Sequence, residues 1–171
     1  MEYRASRLML PEADMDDMLL LSFHIGDERY VMEAARIIEI VPMVQLKNIP
    51  RTPDYVAGLF NYRGQPVQVI DLCQLTINRA SEENLSTRII LLTGKIENGD
   101  KYLIGLIAER VTEMIRLDEA DFISAGIIKS NANFLGNMAN DKNGMIQMID
   151  IDHLVSNELR DLSLNEQVKP A

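Results

Sequence analysis

The stretch GLFNYRGQPVQVIDL, from Gly58 to Leu72, decides how this chain reads. Apolar residues run up to a tight Arg-Gly-Gln-Pro turn and resume directly behind it, the pattern of two buried strands joined by a hairpin. Arg63 stands at the tip of that hairpin. As a solvated loop residue it needs no explanation. An exposed arginine–carboxylate pair contributes only about 0.2–1 kcal/mol, so folding gains little from an arginine there. An arginine that anchors a protein interface can matter by about 2 kcal/mol or more.

Working outward, β signals dominate. ARIIEIV (35–41) reads as a strand from its β-branched content. Alternation puts Ile37 and Glu39 on one face and Ile38 and Ile40 on the other; with the latter pair inside, Ile37 and Glu39 form a mixed outer surface suited to docking. LLLSFHI (19–25) and RYVME (29–33) flank Gly26-Asp27-Glu28 as a hairpin. STRIILLTG (86–94) and KYLIGLIA (101–108) flank Glu97-Asn98-Gly99-Asp100, whose Asn-Gly is a strong hairpin signal. NDKNG (140–144) marks a turn before MIQMI (145–149). Helices are few. Thr52-Pro53 predicts a short helical turn through Ala57, and Asp150 opens a C-terminal helix carrying Leu154, Leu159 and Leu162. Residues 1–17, with a proline and clustered acids, read as a flexible arm; 163–171 read as a fraying tail; 18–162 form the folded unit.

The chain repeats itself. VQVIDLCQL from Val67 returns as IQMIDIDHL from Ile146, sharing Gln68/Gln147, Ile70/Ile149, Asp71/Asp150 and Leu75/Leu154. ARIIEIV resembles ERVTEMI through Arg36/Arg110 and Glu39/Glu113, and a tyrosine-led apolar run, at Tyr30 and Tyr102, precedes each. The same order occurring twice predicts a mainly β protein of two similar small units, each barrel-like because closure removes exposed edges.

Composition narrows function. Of 171 residues 47% are hydrophobic and 25% charged, and the net charge is −9, which argues against nucleic acid and anionic membrane surfaces. No apolar run is long enough to span a bilayer, and MEYRASRLMLPEADMDD is no secretory signal, so a cytoplasmic location is expected. Cys73 is the single cysteine, excluding an internal disulfide and a multi-thiolate zinc site. Asp71 and Asp150 resemble a carboxylate pair, but each ends a strand before a helix and reads as an N-cap; Gln74 completes a capping-box spacing with Asp71. Cys73 reads as a buried small hydrophobe. His24 reads as structural, and His153, beside Asp150 and Asp152, lacks a metal constellation. Gly94-Lys95 lacks the rest of a phosphate loop. The ten methionines read as core filling, with an adaptable partner-facing patch as the other option. No catalytic, cofactor or metal residues are expected.

IIEIVPMVQLKNIPRTPDYVAGLFNYRGQPVQVIDL resembles the CheW-like coupling domain of bacterial chemosensory systems, and the match continues through STRIILL, YLIGLIAERVTEMIRL and MIQMIDIDHLV. That resemblance implies two packed five-stranded barrels of SH3-like kind and a non-enzymatic adaptor. Its implied partners are the cytoplasmic tip of a methyl-accepting chemoreceptor and the regulatory domain of a CheA-type histidine kinase. By the same resemblance Arg63 couples receptor to kinase, with Glu39, Ile37, Gly58, Asn61 and Tyr62 around it. Tyr62 stands where the family usually has leucine. The competing readings are a barrel that binds a small ligand between its two units, and an enzyme using Asp71 or Asp150.

Overall fold

Short apolar runs bounded by turn residues set strands along most of the chain, and nine form among the described residues. The structure, a computed structural model, describes residues 17–95, 99, 101–124 and 134–156. The strands are β1 Asp17–Ile25, β2 Glu28–Glu33, β3 Ile37–Pro42, β4 Val56–Tyr62, β5 Gln65–Asp71, β6 Arg88–Lys95, β7 Lys101–Asp118, β8 Leu135–Asp141 and β9 Gly144–Ile149. Helix α1 (Leu72–Ile77) follows β5 and α2 (151–156) follows β9.

The first sheet runs β3-β6-β7-β5-β4 and the second β7-β1-β2-β9-β8. One 18-residue strand serves both. Its first half, Lys101 to Ala108, pairs with β6; from Glu109 to Asp118 it pairs with β1. The repeat is therefore present, but the sheets exchange halves of it. Hairpin β1–β2 joins the later strands β8 and β9, while hairpin β6–β7 joins β3, β4 and β5. The chain crosses between sheets twice: at a 3₁₀ turn, Ala34–Arg36, and at Arg110, whose φ of 47° kinks β7.

Three apolar clusters follow from this weave. Phe23, Met32, Ile70, Leu72, Ile90, Leu106 and Leu154 fill the main core. Val67, Val69, Ile89, Leu91 and Ile107 form a second cluster on the first sheet, and Leu20, Val31, Ala139 and Ile146 a third on the second. Consecutive residues such as Leu20 and Leu21 belong to different clusters, so strands are buried on both faces and read as continuous apolar runs. Met32 is core, whereas Met114 and Met145 are exposed.

Several expectations need correcting. The barrels do not close. Among the described residues, the backbone ties the rim between β3 and β4 only at the Lys47–Leu59 bridge, with bonds of 2.9 and 2.8 Å, and that between β7 and β8 only at Ile123–Met138, with bonds of 2.7 and 2.8 Å. Pro42 has no amide hydrogen with which to extend the β3 ladder, and Asp118 ends β7 by accepting from Ala120 N. Thr52-Pro53 starts no helix: Pro53 O accepts from Val56 N in a turn, and Val56 already belongs to β4. There the pairing of Asp71 N with Tyr55 O, in a ladder with β5, overrides local preference. Asp17 lies in β1, opposite Asp118, rather than in an arm. The remaining arm and tail, Leu159, Leu162 and most of the turn around Asn98 fall outside the described residues.

Glu109 sits where β7 passes from one sheet to the other. Its buried carboxylate accepts from Gly26 N (3.2 Å), Cys73 Sγ (3.2 Å), Glu82 N (2.8 Å) and both terminal nitrogens of Arg79 (3.0 and 3.4 Å). Burial alone would push its pKa up; the bonds from Arg79, the Glu82 amide and the Cys73 thiol, with the Arg79 charge, outweigh that and bring it from 4.5 to about 2. A carboxyl held lower in the folded than in the unfolded chain stabilises the fold above the unfolded value and loses that contribution as pH falls through the folded one. Glu109→Gln should therefore cost about 3 kcal/mol at neutral pH in urea denaturation. The gap from wild type should narrow between pH 4.5 and about 2; a gap independent of pH would show that the ionised carboxylate is not what matters.

Candidate functional site

Strands β4 and β5 pair down to Tyr62 opposite Gln65, leaving Arg63-Gly64 as a two-residue turn. Gln65 and Pro66, read from sequence as part of the turn, are already strand. Both turn residues have positive φ, 51° and 85°, as a type I′ connection demands. Asn61 Oδ1 accepts from Gly64 N at 2.9 Å and pins the tip from below. Left-handed backbone costs a side-chain-bearing residue about 1–2 kcal/mol, and Asn or Gly would serve the turn better. Arginine is a poor local choice at this position.

The guanidinium is nonetheless arranged. Arg63 Nη2 lies 3.9 Å from Glu39 Oε2, and its Cζ stands 5.1 Å from the Tyr62 ring centroid. The side chain remains 79% exposed, so the ion pair contributes at most a few tenths of a kcal/mol. Tyr62 donates its hydroxyl to the same Glu39 oxygen at 2.7 Å, which, with lesser help from burial, raises the phenol pKa despite Arg63. Glu39, Tyr62 and Arg63 thus meet in one cluster across the rim between β3 and β4, while Asn61 braces the turn itself.

Ile37 and Gly58 do not join that surface. The expected alternation along β3 fails because the register shifts between Ile37 and Glu39: they pair with adjacent Leu92 and Leu91, leaving Ile38 as the extra residue of a bulge. Ile37 and Ile40 pack against the main core, and Ile38, expected inside, is 44% exposed. Gly58 is buried at φ 146°; a Cβ there would lie 2.5 Å from Lys47 O. Its absent side chain lets the Lys47–Leu59 bridge form beneath the hairpin.

The carboxylates are caps. Asp71 is buried and accepts from Cys73 N, Gln74 N, Ser81 N and Ser81 Oγ. Its own amide bonds Tyr55 O, so only half of a capping box exists. Asp150 accepts from His153 N at 3.1 Å and holds the imidazole at 2.7 Å. Cys73 is fully buried, and burial, its largest influence, pushes the thiol up. Burial, then the charges of Arg110 and Arg29, lowers the pKa of His24. Gly94 makes room for the Tyr102 ring and forms no phosphate loop. Among the described residues no three His, Cys, Asp or Glu side chains group to hold a metal, and no helix is long and apolar enough to cross a membrane. Two clefts of about 370 Å³ flank the Arg36–Asp152 ion pair.

These residues make up an open, two-sheet β scaffold with an exposed arginine at a hairpin tip and no constellation for bond-making chemistry among the described residues. Residues 19–159 match the model of the CheW-like domain, and the chain belongs to that family. It is 32% identical over 111 residues to the chemotaxis protein CheW of Helicobacter pylori, a match spanning 64% of each chain. With chemotaxis protein CheW of Treponema pallidum the identity is 26% over 87% of this chain and 89% of that one. The scaffolding protein TtCheW from Thermoanaerobacter tengcongensis superposes with a TM-score of 0.71 at 26% identity, covering 80% of this chain and 86% of its own. The chain is accordingly a non-enzymatic adaptor of chemotaxis signalling, with the mainly β, two-subdomain fold of that family.

Of the family-inferred positions, Gly58 reads as structural. Gly58→Ala should lower stability by about 2 kcal/mol or more in thermal or urea unfolding, through the clash with Lys47 O and the disfavoured φ. An unchanged midpoint would mean that the bridge contributes nothing to the rim.

Proposed function

We propose that this chain joins the cytoplasmic tip of a chemoreceptor to the regulatory domain of a CheA-type kinase, in the cytoplasm, within a membrane-associated array. The Arg63 hairpin faces the receptor: Arg63, Glu39, Tyr62 and Asn61 form the contact, and Ile37 and Gly58 support it from within. One observation carries this reading. Arg63 occupies a left-handed turn position that costs stability, yet is 79% exposed and bonds to nothing that folding needs. A residue kept against its local preference points to a use outside the fold. Weak contacts suffice where many copies act together, since linkage within an array raises the effective concentration of each partner.

Arg63→Glu is the test. Stability should stay within about 0.5 kcal/mol, as is usual for a surface change, while receptor control of the kinase is lost in vesicles reconstituted with receptor and kinase from the same organism. A variant that still couples normally would remove the hairpin from the interface.

A further inference from the structure

The family-like tip carries one departure, Tyr62, and the geometry gives it a task. We propose that Tyr62 is the positioning residue of the docking site: its hydroxyl fixes the Glu39 carboxylate across the open rim, and its ring bears the Arg63 guanidinium. This rests on the reading of Arg63 as the receptor-facing contact and goes further by saying what holds that contact ready.

Three observations carry the assignment. Arg63 on its own is a long side chain in solvent; its contact with Glu39 is 3.9 Å, too loose to hold it. The short bond in the cluster is the 2.7 Å one from Tyr62 to Glu39, and the guanidinium lies 5.1 Å above the same ring, within cation–π range. Tyr62 therefore contacts both charged members at once and sets the distance between them. Second, the bond crosses the gap between β3 and β4, where the backbone supplies only the Lys47–Leu59 bridge. It holds the face of the rim as well as the side chain.

Third, the repeat supplies an internal control. In the β8–β9 hairpin the last ladder pair is Asp141 with Gly144, so Asp141 occupies the place of Tyr62. Asp141 turns to Arg29 on β2, with two bonds of 2.8 Å, and not to the rim strand β7. The second sheet is held without a tyrosine latch, so the architecture does not require one. The Tyr62 ring packs against the second apolar cluster, but its hydroxyl latch is specific to the side that carries Arg63. A leucine at position 62 would keep apolar bulk but could neither donate to Glu39 nor offer a π face.

Tyr62→Phe and Tyr62→Leu separate the two contacts. In the free protein, Arg63 Nε–Hε heteronuclear NOEs should show an ordered side chain in wild type, a looser one in Tyr62→Phe and a free one in Tyr62→Leu. In the reconstituted receptor–kinase assay, the adaptor concentration for half-maximal coupling should rise about threefold in Tyr62→Phe and about tenfold in Tyr62→Leu, with the coupling reached at saturation unchanged. Equal Arg63 order in all three proteins would overturn the assignment, as would unchanged half-maximal concentrations beside a defective Arg63→Glu control. A normal Arg63→Glu control would instead overturn the docking reading itself.

Discussion

The carboxylate of Glu109 is the constraint on which the rest depends. It sits at the residue where β7 leaves one sheet for the other, and its donors come from the β1–β2 turn, from α1 and from the segment that follows α1. Four separate pieces of chain are thus held to one point. A buried ion pair is often no more stabilising than apolar packing would be, yet removing one partner costs several kcal/mol. Here the pair also defines where the sheets cross. With β7 shared between them, neither sheet can fray without disturbing the other.

That shared strand explains how a small open β structure offers a rigid platform. Five short strands forming an unclosed sheet would be a weak base alone. Weaving the β1–β2 hairpin with β8 and β9, and the β6–β7 hairpin with β3, β4 and β5, places the main core against both sheets. The edges that closure would have removed persist, but a bridge ties each rim, and Gly58 allows one of them to approach closely. The Arg63 hairpin stands on this platform. Its strained backbone is tolerable because ladder pairs on both sides, and the Asn61 cap, hold the turn.

Much of this was legible in the amino-acid sequence. The duplicated Q-x-I-D strands, the tyrosine-led runs and the hairpin signals located nearly every strand, because short β-branched apolar runs and the turn chemistry that bounds them are local properties. Asp71 and Asp150 were recognisable as caps for the same reason. The half-exchange of the repeat was not legible: a repeat specifies the order of strands, not which copies pair. Glu109 was hidden because it lies inside the run LIGLIAERV while its donors at Gly26, Cys73, Arg79 and Glu82 are distant in sequence. The bulge at Ile38 defeated simple alternation and turned Ile37 to a half-buried place against the main core. At the site, Arg63 stood out by residue type and place. The phenol-to-carboxylate bond beneath it depended on two strands meeting across a rim, which no local pattern encodes.

Native-state hydrogen exchange under increasing urea tests the shared-strand account most directly. Leu106 lies in the half of β7 that pairs with β6, and Ile115 in the half that pairs with β1. If one strand and one buried carboxylate bind the sheets together, their amides should open with the same free energy and the same urea dependence, as parts of a single cooperative unit. Distinct opening energies for the two halves, with one sheet unfolding while the other stays protected, would contradict it.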